Sequence, residues 1–176
     1  MTTDRVVLVT GGNRGIGRAI AERFVAAGYR TAVTARSGEG PAGTLTVRAD
    51  VTDAASLDAA FSEVERELGP VEVVVANAGI TKDTLLLRMT EDDFDSVVAT
   101  NLGGTFRVVK RASKGMLRAK WGRVILISSE LPELLGIVDR IYTVFEWQIT
   151  DDIPASEATP ENLMRSMTSS RPKAKA

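Results

Sequence analysis

Eight residues near the N-terminus have the make-up of a phosphate cradle: Thr10-Gly11-Gly12-Asn13-Arg14-Gly15-Ile16-Gly17. Glycines lack the Cβ that would hold a diphosphate away from the main chain. A helix opening in this stretch would aim unpaired N–H groups and a partial positive charge at the anion. That chemistry requires a strand before the loop and a helix after it. Both are legible, since Val6-Val7-Leu8-Val9 is an apolar run suited to a strand buried on both faces, and Ile16 to Phe24 follows with helical spacing as far as Gly28. A tight turn without a ligand is the competing reading of the glycines alone.

The end of the second strand decides which dinucleotide such a loop would serve. An acidic side chain there bonds a ribose 2′-hydroxyl, whereas cations accept a 2′-phosphate. The residues are Thr34-Ala35-Arg36-Ser37. Arg36, with Arg14 from the loop, could form a charge-assisted clamp on a phosphate, which favours NADPH; solvated surface charge is the alternative. Asp50-Val51, closing a third strand, could edge an adenine or simply open the next helix.

The elements that must hold these residues alternate. Strands are expected at Thr31–Ala35, Leu45–Ala49, Val71–Ala76 and Gly122–Ile127, and helices at Ala54–Leu68, opened by Asp53 and closed by Gly69-Pro70, at Glu91–Leu102 and at Thr105–Leu117. Such alternation predicts a parallel sheet with right-handed crossovers. The expectation is an α/β, Rossmann-type doubly wound sheet of about five strands over residues 1–129. A helical tail is expected at 130–168, with a disordered cationic end at 169–176. In the tail, Leu131, Leu134, Leu135, Val138, Ile141 and Phe145 fall on one helical face, no further strand is indicated, and Thr159-Pro160-Glu161 reads as a helix start.

Composition narrows the chemistry further. Lys and Arg total 22 against 23 Asp and Glu, a net charge of −1, so there is no electrostatic case for nucleic acid or an anionic membrane. With neither Cys nor His, thiolate chemistry, an imidazole base and the commonest zinc ligand are excluded, and no metal site is expected. Acid–base work would fall to Tyr, Lys, Asp, Glu or Ser. With no apolar leader or span, the chain reads as cytoplasmic.

Thr10-Gly-x-x-x-Gly15-x-Gly17, Asp50-Val51, Ala76-Asn77-Ala78-Gly79, Asn101-Leu102 and a strand ending in Ser128-Ser129 occur in the order and rough spacing of the short-chain dehydrogenases/reductases. Together with Leu86-Leu87-Arg88-Met89 and Phe106–Ala112, they make residues 5–129 resemble most the 3-oxoacyl-acyl-carrier-protein reductases of bacterial fatty-acid synthesis. The resemblance implies reduction of a carrier-linked 3-oxoacyl thioester to the 3-hydroxyacyl form with NADPH, in a tetramer built partly through Glu91–Leu117. It implies that Asn77, Ala78 and Gly79 support the cofactor, that Asn101 holds a proton-relay water and that Ser129 bonds the substrate carbonyl. The general acid would be a Tyr followed four residues later by Lys.

Tyr142 lies thirteen residues after Ser129, the family spacing, but the residue four further on is Glu146. A phenol of unperturbed pKa about 10 needs a cation beside it to deliver a proton near neutrality, and a carboxylate acts in the opposite sense. A packing role is the other reading of Tyr142. After Ser129 the chain also resembles the C-terminal half of an acyl carrier protein, which implies helices and a carrier serine at Ser128, although Ile127 stands where that family has Asp. An NADP-binding or oligomerisation module without catalysis, and a junction of reductase and carrier fragments, remain open beside the reductase.

Overall fold

Valine-rich runs with no polar face become the inner strands of a parallel sheet. β1 (Val6–Thr10) is buried along its whole length and pairs in parallel with β2 (Arg30–Ala35) on one side and β4 (Val71–Ala76) on the other. β3 (Thr44–Arg48) extends the sheet beyond β2 and β5 (Arg123–Leu126) beyond β4, giving the order β3-β2-β1-β4-β5. These relations come from a computed structural model that describes residues 4–128, 137–146 and 148–168. The chain divides into two units, Met1–Ile127 and Ser128–Ala176.

In the first unit, successive side chains of β1 serve opposite faces. Val7 and Val9 join Val33, Val73 and Val75 in a cluster with Ala21 of α1 (Gly15–Ala26). Val6 and Leu8 belong to the other cluster, with Leu57, Phe61 and Val64 of α2 (Ala54–Glu67) and Val108, Ala112 and Met116 of α4 (Thr105–Ala119). Helices on both faces of a parallel sheet make the doubly wound Rossmann arrangement that the alternation implies. Phe61, Leu8 and Leu57 are fully buried, each worth roughly 2–3 kcal/mol in removed apolar surface.

Local signals set the boundaries. The Asp53 carboxylate accepts the Ala55 N–H at 2.9 Å and caps α2, whose end is marked by Gly69 at φ 99°. Thr90 and Asp93 form a reciprocal capping box at the start of α3 (Glu91–Val98). α3 and α4 are joined by a wide π-type turn over Ala99–Gly104, so the helix expected to stop at Leu102 runs on through it. Arg111 of α4 binds Asp58 at 2.6 Å and Glu65 at 2.9 Å on α2 and lies over the Phe61 ring, bracing the two helices that share this face.

The second unit corrects the sequence reading. Where residues up to Phe145 were expected to be helical, with no further strand in the tail, β6 (Arg140–Phe145) and β7 (Gln148–Pro154) form an antiparallel hairpin. Ile141 and Thr143 are buried while Tyr142 and Val144 are exposed, the two-residue period of a strand. β-branched residues at 141, 143, 144, 149 and 150 favour that pleated surface over a helix. Leu131, Leu134 and Leu135 of the expected stripe lie outside the described residues, as do Ser129 and 169–176.

The one tail helix that the structure describes is α5 (Pro160–Thr168), and it starts as the sequence indicates. Thr159 Oγ1 accepts the Asn162 N–H at 3.2 Å, and Asn162 Oδ1 accepts the Thr159 N–H at 2.9 Å. Leu163 of α5 packs with Ile141 and Ile153 of the hairpin. The buried Thr150 hydroxyl donates to the Ser166 carbonyl at 2.7 Å, joining the helix to β7.

Candidate functional site

Strand order reverses between β1 and β4, so the loops leaving their C-terminal ends diverge and leave a crevice. A cleft of about 470 Å³ opens there. It is lined by Gly11, Asn13, Arg14, Gly15 and Ile16 after β1, by Arg36 and Ser37 after β2, by Asp50 and Val51 after β3, and by Asn77, Ala78 and Gly79 after β4. Eleven of the residues singled out for a dinucleotide thus meet in one cavity. Thr10 and Gly17 do not line it.

Those two residues work beneath the loop. Thr10 is buried, and its hydroxyl donates to the Val75 carbonyl at 3.3 Å while accepting the N–H groups of Asn77 at 3.0 Å and Ala78 at 3.1 Å. The Asn77 side-chain amide donates to the Thr10 carbonyl at 3.0 Å, so the loops after β1 and β4 are fastened together. Gly17 packs against the same amide, and a Cβ there would collide with it.

The loop backbone is open toward the cleft. Gly11 and Gly15 take positive φ, 64° and 54°, which only glycine adopts without strain. A Cβ at Gly15 would meet nothing within 4 Å, so the main chain faces open space. No side chain caps α1, and its first intrahelical bond is from Arg18 N–H to the Arg14 carbonyl at 3.1 Å. The N–H groups of the first turn are therefore left for an anion. These features fit a diphosphate.

Charge is arranged to match. Neither Arg14 nor Arg36 enters an ion pair among the described residues. The Asn13 amide donates to the Ser37 carbonyl at 3.0 Å, holding the loop after β2 against the glycine loop. At the cleft wall the Asp50 carboxylate is fixed within its own loop: it accepts the Thr52 N–H at 2.8 Å and the Thr52 hydroxyl at 2.7 Å. Those two bonds, with Arg36 adding a smaller effect, hold its pKa below the ordinary carboxylate range.

Of the catalytic candidates, Asn101 belongs to the first unit. Asn101 borders a second hollow that shares Arg14, Gly79 and Ile80 with the cleft. Its side chain accepts the Ile80 N–H at 2.9 Å and donates to the Ile80 carbonyl at 3.1 Å, while its own carbonyl accepts the Thr105 hydroxyl at 2.6 Å. The amide thereby pins the loop after β4 to the wide turn. Ser129 lies outside the described residues. Tyr142 stands on β6 of the second unit, 56% exposed, which corrects the packing reading; Asp152 opposes it, and Glu146 occupies the turn at φ 47°.

Sequence reasoning missed Ala49, Ile80 and Thr100 in the cleft wall. Ile80 and Thr100 each adjoin a recognised motif, Asn77-Ala78-Gly79 and Asn101-Leu102. The wide turn that brings Thr100 round had no signal beyond the paired Gly103-Gly104.

A family model described as short chain dehydrogenase matches residues 5–143. The 3-oxoacyl-[acyl-carrier-protein] reductase MabA of Mycobacterium tuberculosis is 54% identical over 125 residues, which is 71% of this chain and 51% of that protein. The 3-oxoacyl-[acyl-carrier-protein] reductase FabG of Salmonella typhimurium is 40% identical over 133 residues, 71% of this chain and 54% of that protein, and FabG of Escherichia coli is 38% identical over the same length. The chain spans about half the length of the curated relatives it matches. Among the described residues no helix is long and apolar enough to cross a membrane.

Proposed function

Because the chain belongs to the short chain dehydrogenase family, we propose that its cleft binds NADPH and is the cofactor half of a 3-oxoacyl-[acyl-carrier-protein] reductase. The observation that carries this reading is a pair of guanidiniums, Arg14 and Arg36, without ion-pair partners among the described residues and lining the cleft with the uncapped start of α1. In this reading the uncapped N–H groups at the start of α1 take the diphosphate, Arg14 and Arg36 take the 2′-phosphate, and Asp50 and Val51 flank the adenine. Thr10 and Asn77 hold the two loops in register. The dinucleotide, when bound, supplies a hydride to a carbonyl carbon. The carrier-linked 3-oxoacyl substrate rests on the names of the relatives.

We assign Tyr142 no acid role. A proton donor must sit beside a cation that lowers its pKa and within reach of the carbonyl. The residue four positions on is Glu146, and the other tyrosine, Tyr29, is followed at that spacing by Val33. The cation that does neighbour Tyr142, Arg140, is paired with Asp152 at 2.7 Å, and in our reading this chain on its own binds the cofactor without turning over a 3-oxoacyl thioester.

The test is a fluorescence titration of NADPH and NADH against the wild type and Arg36→Ala. The substitution is expected to weaken NADPH on the order of tenfold and to change NADH less than about twofold. Equal losses for both would remove the basis for NADPH, and steady NADPH oxidation with a 3-oxoacyl thioester would overturn the assignment of Tyr142.

A second reading, self-association, is favoured by a stripe of exposed apolar side chains on α3, the wide turn and α4: Phe94, Val98, Leu102 and Phe106. Such a patch on one helical face is the kind a second copy covers. Sedimentation equilibrium should find a dimer or larger, and Phe106→Lys should shift it toward monomer.

A further inference from the structure

Gly104 ends the wide turn between α3 and α4 and is buried. Its backbone, φ −62° and ψ −48°, is right-handed helix that any residue adopts, and glycine is the poorest helix former after proline. Neither conformation nor propensity accounts for a glycine here. Space does: a Cβ at this position would lie 2.7 Å from Val51 Cγ2 and 3.0 Å from Val51 Cβ. Val51 is β-branched, restricted at χ1 and itself buried, so it has little room to swing aside. Its open side is the cleft, which it lines together with Asp50 and with Thr100 from the same wide turn.

We infer that Gly104 is a positioning residue for the adenosine half of the cofactor: its missing side chain lets the wide turn seat Val51 at the depth where it walls the cleft. The inference rests on the dinucleotide reading above. Adding one methyl at position 104 drives Val51 toward the cleft and narrows the adenine end. The loop after β1 and the hollow beside Asn101 are left as they are.

The experiment compares NADPH with reduced nicotinamide mononucleotide, which lacks the adenosine half, on the full chain. Gly104→Ala should weaken NADPH on the order of tenfold, the loss typical of overpacking, and leave the mononucleotide within about twofold. Combining it with Val51→Ala removes the clash, so the double variant should bind NADPH within about twofold of Val51→Ala alone. Equal weakening of both ligands by Gly104→Ala, or a folded double variant that binds NADPH on the order of tenfold more weakly than Val51→Ala alone, would overturn the inference and leave the cofactor reading standing. Should Gly104→Ala alone fail to fold, the double variant still decides, since it must fold and bind NADPH. A wild type that binds neither ligand overturns both readings together.

Discussion

The hydroxyl of Thr10 accepts the backbone N–H of Asn77 across the boundary between β1 and β4, at 3.0 Å, and takes the next N–H, of Ala78, at 3.1 Å. One buried oxygen thus satisfies two main-chain donors at the point where the cleft opens. Thr10→Val preserves the shape and strands both N–H groups, a loss of roughly 2–6 kcal/mol at about 1–3 kcal/mol per buried unsatisfied group. Thr10→Ser keeps the oxygen and should lose less than half as much. Urea denaturation followed by circular dichroism measures both, and equal losses in the two variants would show that the methyl, not the hydroxyl, is what matters.

Much of this was legible because strands buried on both faces announce themselves. Val71–Ala76 has the same bounds in the sequence reading and in the structure, since an unbroken valine run closed by Asn-Ala-Gly leaves little choice. The glycine loop was equally plain, being a chemical requirement written as residue types. The hairpin was not. Thr143 and Thr150 are buried polar residues, bonded to each other at 3.0 Å, so the inward face of β6 and β7 does not read as apolar and the strand period was masked. Val138, Ile141 and Phe145 happen to recur at three and four, which imitates a helix. Contacts between distant segments, such as the closure of Asn101 on Ile80, leave no periodic trace.

Asp50 makes the site sensitive to acid. Its folded pKa is depressed, chiefly by the two bonds from Thr52 and in part by Arg36, so the unfolded chain binds this proton more tightly. The stabilisation is therefore complete above the ordinary carboxylate pKa of about 3.9 and is lost as pH falls through it toward the lower folded value. Asp50→Asn can still accept both bonds but does not titrate. The stability difference between wild type and Asp50→Asn should shrink over that range; a difference constant with pH would remove Asp50 from the acid response.

Arg111 ties α4 to α2 through two carboxylates and the Phe61 ring, and its side chain is only 19% exposed. A planar fork can engage Glu65 and Asp58 together while stacking on an aromatic face, and an ammonium cannot. Arg111→Lys is expected to cost about 1 kcal/mol, and Arg111→Ala more, because it also uncovers Phe61. Denaturation midpoints at low and high salt would separate these contributions: the Lys deficit should shrink with salt, whereas the part of the Ala deficit due to packing should not.

Glu146 gives the sharpest test of whether Tyr142 can serve as an acid. On a helix, residues four apart lie about 6 Å from one another on one face. On a strand rising about 3.3 Å per residue, the same separation is about 13 Å. Tyr142 stands in β6 and Glu146 in the turn that follows it. Placing a lysine at 146 therefore restores the family's sequence pattern without bringing its cation to the phenol. Glu146→Lys should bind NADPH as the wild type does and show no oxidation of it with a 3-oxoacyl thioester. Glu146→Gly, which suits the positive φ of 47°, should stabilise the hairpin by about 0.5–1 kcal/mol. Turnover appearing in Glu146→Lys would mean that residues 142–146 form a helical turn in the working protein, and the strand assignment of β6 would have to be given up with it.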